Sequence, residues 1–222
     1  MIRLCGASQD QLPSQKQLLG CIAPAFCKAW RDHHGTVRDE NAARRSLGGL
    51  LLLECCDVRG RLAYADNGRP YVQEAGVDFS ITHTARHVFC AVEFPDDRSG
   101  TLLRVGLDAE ELERVRRLRI SALAERWFTA RELAVFQSDP TPLTFARIWT
   151  RKEALVKWTG EGISALHSAD TCLAEERLGV RFYEYRVDGT LLSLCCRAEA
   201  VPPKAVEFCL DSCPTGREFR NT

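Results

Sequence analysis

The sequence of 222 residues predicts a mixed α/β fold of the α+β class, and three observations predict it. Stretches with helical spacing, such as Leu143 to Trp158, alternate with short apolar runs bounded by turn residues. Val180 to Val187 and Leu191 to Cys196 flank Asp188-Gly189, a residue pair suited to a two-residue hairpin, so part of the sheet is antiparallel. No G-x-G-x-x-G follows a strand, which argues against a long parallel dinucleotide-binding sheet.

Taken in order, Leu12 to Trp30 has loose helical spacing broken by Pro24, and the polar run Arg31 to Asn41 reads as a loop. From Asn41 through Leu53 a second helix is expected, with Gly48 and Gly49 marking close packing. Asp66-Asn67-Gly68-Arg69-Pro70 is a dense turn signal, and Val77 to Ile81 and Val88 to Phe94 read as strands after it. Pro95 to Gly100 reads as a loop, Leu102 to Leu107 as a strand, and Glu111 to Arg119 as a charged helix. Thr129 lies three residues before Glu132, the spacing of a capping box that starts a new helix. The helix from Leu143 ends at Gly160 and Gly162, the hairpin follows, and Cys213 to Thr222 reads as a frayed tail.

Composition narrows the class of molecule. With 45% hydrophobic and 27% charged residues the chain is ordinary for a globular protein. Thirty basic residues against thirty acidic ones leave no net charge, so no global field favours nucleic acid. The eleven cysteines are an odd number without paired C-x-x-C spacing, which fits a reduced compartment and buried thiols rather than zinc or a disulfide scaffold. Leu18 to Cys21 superficially matches a lipoprotein processing site, yet Asp10 to Gln17 is polar where an apolar region is required. The apolar run Leu47 to Leu53 is far short of the roughly 20 residues that span a bilayer. The expectation is a cytoplasmic protein that uses neither membrane nor nucleic acid.

Asp108 and Glu110 stand two residues apart at the end of an apolar run, so extended backbone points both carboxylates to one side. Such a pair suits Mg²⁺, although alone it is a weak signal and reads more readily as a polar strand end feeding the charged helix. Trp149, Glu153 and Lys157 recur at four-residue intervals and share one helical face, where acid and base could serve as metal ligand or general base and as a cation for phosphate. His83 lies between Thr82 and Thr84 at a strand end, a set of donors suited to phosphate. Arg44, Arg45, Ser46 and Arg69 are further candidate anion contacts.

The series Gly68-Arg69-Pro70, Phe79-Ser80-Ile81-Thr82-His83-Thr84, Val105-Gly106-Leu107-Asp108-Ala109-Glu110 and Trp149-Thr150-Arg151-Lys152-Glu153-Ala154, through Lys157, Gly160 and Gly162, resembles the 4′-phosphopantetheinyl transferases of the surfactin-synthetase-activating (Sfp) type. The resemblance implies a monomer of two similar α/β halves in pseudo-twofold arrangement, residues 1–100 and 101–222, with coenzyme A between them. It implies transfer of the phosphopantetheine arm of coenzyme A to a serine of an apo acyl or peptidyl carrier protein, releasing adenosine 3′,5′-bisphosphate. Asp108, Glu110 and Glu153 would hold Mg²⁺ or Mn²⁺, Glu153 would also take the serine proton, and Lys157 would assist the leaving phosphate. Thr82 and His83 would contact the coenzyme phosphates, Arg69 would lie by the adenine and 3′-phosphate, and Arg45 with Ser46 would approach the 3′-phosphate.

The chain departs from the family pattern in places. Ser80 and Thr82 stand where Asn and Ser are common, Ala109 where Ile is common, and Arg31-Asp32-His33-His34 where relatives carry a more basic run. Two other readings share these residues: a non-catalytic regulator that binds coenzyme A and carrier domains, and a Mg²⁺-dependent pyrophosphate hydrolase.

Overall fold

A computed structural model describes residues 1–95 and 104–209 of the chain. The first half runs β1 (Ile2–Ser8), α1 (Gln15–Cys21), α2 (Pro24–His34), α3 (Glu40–Cys55), β2 (Arg61–Tyr64), β3 (Pro70–Gln73), β4 (Asp78–His83) and β5 (His87–Glu93). The helix expected from Leu12 to Trp30 is two helices, because Pro24 lacks an amide proton and occupies the first turn of α2. Ser14 and Gln17 form a capping box on α1. Helix α2 continues to His34, into the expected loop, and Asp39 caps α3 through the amides of Asn41 and Ala42. Gly49 is a packing glycine: a Cβ there would lie 2.6 Å from Cγ2 of Ile81, so α3 rests directly on β4.

The second half runs β6 (Val105–Glu111), α4 (Leu112–Val115), α5 (Ile120–Trp127), α6 (Ala130–Ser138), α7 (Pro142–Thr159), a 3-10 turn (Ile163–His167), α8 (Thr171–Leu178), β7 (Val180–Val187) and β8 (Thr190–Arg197). The expected charged helix from Glu111 to Arg119 shrinks to α4. Glu113 there pairs with Arg116 and Arg117 on the surface, and Val115 alone in the helix is buried, so little apolar area holds a longer one. The capping box of Thr129 and Glu132 starts α6 as its spacing predicts. Asp188 and Gly189 have φ of 45° and 76°, which closes the β7–β8 hairpin. Strand β9 (Glu207–Phe208) returns to pair in parallel with β1.

The two halves share one topology. Each begins with a strand, inserts helices, and ends in an antiparallel pair whose second strand joins the first: β5 with β1, β8 with β6. The orders β4-β5-β1 and β6-β8-β7 result, with α3 packed on the first sheet and α7 on the second. The division at residues 100/101, the expected loop beyond Pro95 and the tail from Cys213 lie outside the described residues. Leu102 and Leu103 do too, and the strand expected there continues instead through Asp108 and Glu110.

Edge strands β4 and β6 meet where the halves join. Alternate residues of β4 point toward β6, and their side chains replace a missing strand partner. Asp78 accepts from the Val105 amide at 2.8 Å, Ser80 accepts from the Leu107 amide at 3.0 Å, and Thr82 donates to Asp108 at 3.2 Å. Buried apolar residues of both sheets, including Leu4, Phe89, Leu107 and Leu194, form one cluster behind this seam. Among the described residues, no helix is long and apolar enough to cross a membrane. Cys5, Cys27, Cys90, Cys195 and Cys196 are buried thiols.

Candidate active site

The seam places β6 against α7. Gly106 permits the approach: a Cβ there would lie 2.0 Å from the Ala154 carbonyl oxygen and 2.7 Å from the Trp158 nitrogen. Backbone contact at Gly106 brings the next residues of β6 beside the Glu153 to Lys157 turn. Extended backbone continues to Glu111, so Asp108 and Glu110 share one side of the strand. Trp149, on the same helical row, belongs to the core, packed on Phe145 and Trp127.

Lys157 Nζ donates to Asp108 Oδ1 at 2.8 Å and to the Leu107 carbonyl at 2.9 Å. Asp108 is 6% exposed and accepts from Thr82 as well. Glu110 accepts from Arg114 at 2.8 and 2.7 Å. Glu153 is pushed up to about 7, first by burial and then by the charges of Asp108 and Glu110, against the opposing pull of Lys157. The charges of Asp108 and Glu110 thus reach Glu153 across the join of β6 and α7.

Two cavities flank this cluster. One, of about 290 Å³, is mostly apolar and is lined by Arg69, Phe79, Glu153, Lys157 and Ile163 among others. The other, of about 360 Å³, is polar and bordered by Arg45, His83, Thr84, Glu110 and Arg114. Asp108 links them, since its partner Lys157 lines the first and Glu110, two residues on, lines the second. His83 reaches solvent at its rim, yet the protein packed around the ring, Arg45 and Lys157 hold its imidazole below the ordinary value, opposed by Asp108.

The remaining sequence-selected residues divide. Arg45 faces the polar cavity with His83. Ser46 accepts from Trp30 Nε1 at 2.8 Å, leaving its own proton to donate. Arg44 is turned away, donating to the carbonyls of Gln9, Leu12 and Pro13. Arg69 borders the apolar cavity, but its guanidinium is held by Asp78 and by the Lys157 carbonyl. The run Arg31 to His34 closes α2, and His33 stacks on Tyr64 at 3.8 Å.

Several supporting residues escape sequence reasoning. Lys152 and Glu132 form a fully buried ion pair at 2.7 Å, and Glu132 also accepts from Thr129, the Thr171 amide and the Thr171 hydroxyl. The pair ties α6, α7 and the start of α8 together behind Glu153. The capping-box spacing names Glu132, but nothing in the sequence says that its carboxylate is buried. Asp78 carries no sequence signal of its own, and Ser80 stands in the histidine motif with nothing to show that it accepts from β6.

Among the described residues, no three His, Cys, Asp or Glu side chains stand assembled as a metal centre. Lys157 and Arg114 hold two of the candidate ligands. The donor set nonetheless fits a hard divalent cation: carboxylate oxygens only, with Glu153 driven toward neutrality by burial and by the charges of the other two.

A family model described as the 4′-phosphopantetheinyl transferase superfamily matches residues 104–205. The chain is 32% identical to the 4′-phosphopantetheinyl transferase HetI of Nostoc sp. over 137 residues, 59% of this chain and 53% of that one. It is 35% identical to the 4′-phosphopantetheinyl transferase psf-1 of Bacillus pumilus over 115 residues, 50% of this chain and 44% of that one. The chain spans about half the length of these curated relatives.

Proposed function

We propose, from the match of residues 104–205 to the 4′-phosphopantetheinyl transferase superfamily model and from the likeness to two named transferases, that this chain is a transferase of the Sfp type. It moves the phosphopantetheine arm of coenzyme A onto a serine hydroxyl of an apo acyl or peptidyl carrier protein. The serine oxygen forms a new bond to the arm's phosphorus, and the bond from that phosphorus to the bridging oxygen of adenosine 3′,5′-bisphosphate breaks. The observation that carries the reading is Lys157 held on Asp108 at 2.8 Å beside the half-buried Glu153, in a cleft where the two halves meet.

Each residue has a part in this chemistry. Glu153 takes the serine proton, directly or through water. Lys157 places positive charge, and a proton to give, at the departing phosphate. Thr82, His83, Arg45 and Ser46 line the way to the coenzyme phosphates. Asp108, Glu110 and Glu153 would hold Mg²⁺ or Mn²⁺, which when bound supplies positive charge beside the pyrophosphate. The reading carries with it a monomeric, cytoplasmic enzyme of two halves, residues 1–100 and 101–222, that acts without nucleic acid.

Chromatographic detection of adenosine 3′,5′-bisphosphate tests the proposal. Release is expected when coenzyme A, Mg²⁺ and an apo carrier are all present, and is expected to stop when the carrier is omitted. Release without any carrier contradicts transfer and identifies a pyrophosphate hydrolase.

A further inference from the structure

Lys157 sits in the last turn of α7, and the final carbonyls of a helix have no partner within it. Here residues from outside the helix meet them. Arg69 Nη1 donates to the Lys157 carbonyl at 2.6 Å, Asn67 Nδ2 to the Gly160 carbonyl at 2.6 Å, and Arg104 Nη1 to the Thr159 carbonyl at 3.4 Å. Gly160, with φ of 76°, ends the helix in the left-handed region and returns its amide to Val156. Two guanidinium groups therefore face the negative end of the helix dipole.

The turn that supplies Arg69 and Asn67 is itself internally bonded. The Ala65 amide donates to the Arg69 carbonyl at 2.9 Å, the Gly68 amide to the Ala65 carbonyl at 2.8 Å, and the Arg69 amide to Asn67 Oδ1 at 3.0 Å. Arg69 Nη2 lies 2.9 and 2.8 Å from the two carboxylate oxygens of Asp78, and Asp78 Oδ2 also accepts from the Val105 amide. One ion pair thus joins the turn, β4, the start of β6 and the end of α7 across the cleft.

Resting on the transferase reading above, we propose that Arg69 and Asn67 are positioning residues: their turn caps α7 from the opposite half of the molecule and so sets Lys157 on Asp108. Nη1 and Nη2 of Arg69 both donate to protein, which fixes the guanidinium at the helix end. A displacement of the last turn by about 1 Å takes Lys157 out of reach, and errors of that size lower rates by up to about 100-fold.

The test uses Arg69→Ala and Asn67→Ala in the full chain. Asn67 is exposed, and its side chain makes one contact to the end of α7 and one to the Arg69 amide of its own turn, so that variant is expected to keep the fold even if the loss of the Arg69 ion pair does not permit it. Expected is a fall in kcat of about 10- to 100-fold for Arg69→Ala, with KM for coenzyme A and Kd for adenosine 3′,5′-bisphosphate within about twofold of the starting protein. Amide hydrogen exchange at Lys157, Trp158 and Gly160 is expected to quicken by about tenfold in both variants. Weakened binding of adenosine 3′,5′-bisphosphate with kcat intact, or unchanged exchange at these amides, overturns the proposal. If the starting protein modifies no carrier, the transferase reading fails, while the exchange rates still decide the cap.

Discussion

Glu153 is the residue on which most of the account turns, and its protonation has a direct consequence for stability. Folding raises it from an ordinary value of 4.5 to about 7, so the folded chain binds this proton more tightly than the unfolded one. Stability attributable to Glu153 is therefore lost as pH rises through that window, and the ionised group remains a burden above it. Glu153→Gln is expected to abolish transfer and to stabilise the metal-free protein at pH 8 by on the order of 2 kcal/mol, read from thermal unfolding across pH. Unchanged turnover, or a variant less stable at pH 8, counts against the assignment. His83 provides a second check, because its imidazole is held low by its surroundings and by Arg45 and Lys157. In histidine-resolved NMR it is expected to titrate below 6.5, and adenosine 3′,5′-bisphosphate is expected to shift that titration upward by setting negative charge beside it. No movement with this nucleotide places His83 outside the phosphate site.

At the scale of elements, two contacts aim α7. Gly106→Ala pushes a methyl group into the Ala154 carbonyl, so helix or strand must shift. Overpacking of this kind costs about 1–3 kcal/mol, and because the displaced turn carries Glu153 and Lys157, activity is expected to fall further than stability. Urea unfolding together with transfer rates separates the two effects; wild-type rates in this variant contradict the placement of the site. Lys152→Met leaves Glu132 buried without its cation and is expected to destabilise by about 3–5 kcal/mol, a loss measurable in the same urea experiment. The elements themselves were mostly readable. Spacing located α7, the Thr129 capping box and the Asp188-Gly189 hairpin because each rests on local chemistry. β1 was missed because Ile2 is its one β-branched residue, and the charged helix was overcalled because the row of Arg and Glu after Glu110 pairs on the surface and buries little. Asp78, Ser80 and the Lys152–Glu132 pair take their meaning from partners 20 or more residues away, which no local pattern records.

The whole molecule shows why the cleft lies where it does. Two sheets that share a three-strand order, the first extended by β9, present the edges β4 and β6 to each other, and the side chains that close this seam lead directly to Asp108. Repetition of topology left no repeat in the sequence, since a strand order constrains hydrophobic pattern far more than residue identity. What the sequence did contain was the order of its short polar motifs, and the structure brings Thr82, His83, Asp108, Glu110, Glu153 and Lys157 to one place from β4, β6 and α7. The most direct test of the central claim is the intact mass of apo carrier proteins after incubation with this protein, coenzyme A and Mg²⁺. The account predicts a gain equal to one phosphopantetheine arm on at least one carrier, absent with a chelator and absent with Glu153→Gln. A carrier mass unchanged across acyl and peptidyl carriers, or a full gain with Glu153→Gln, contradicts it.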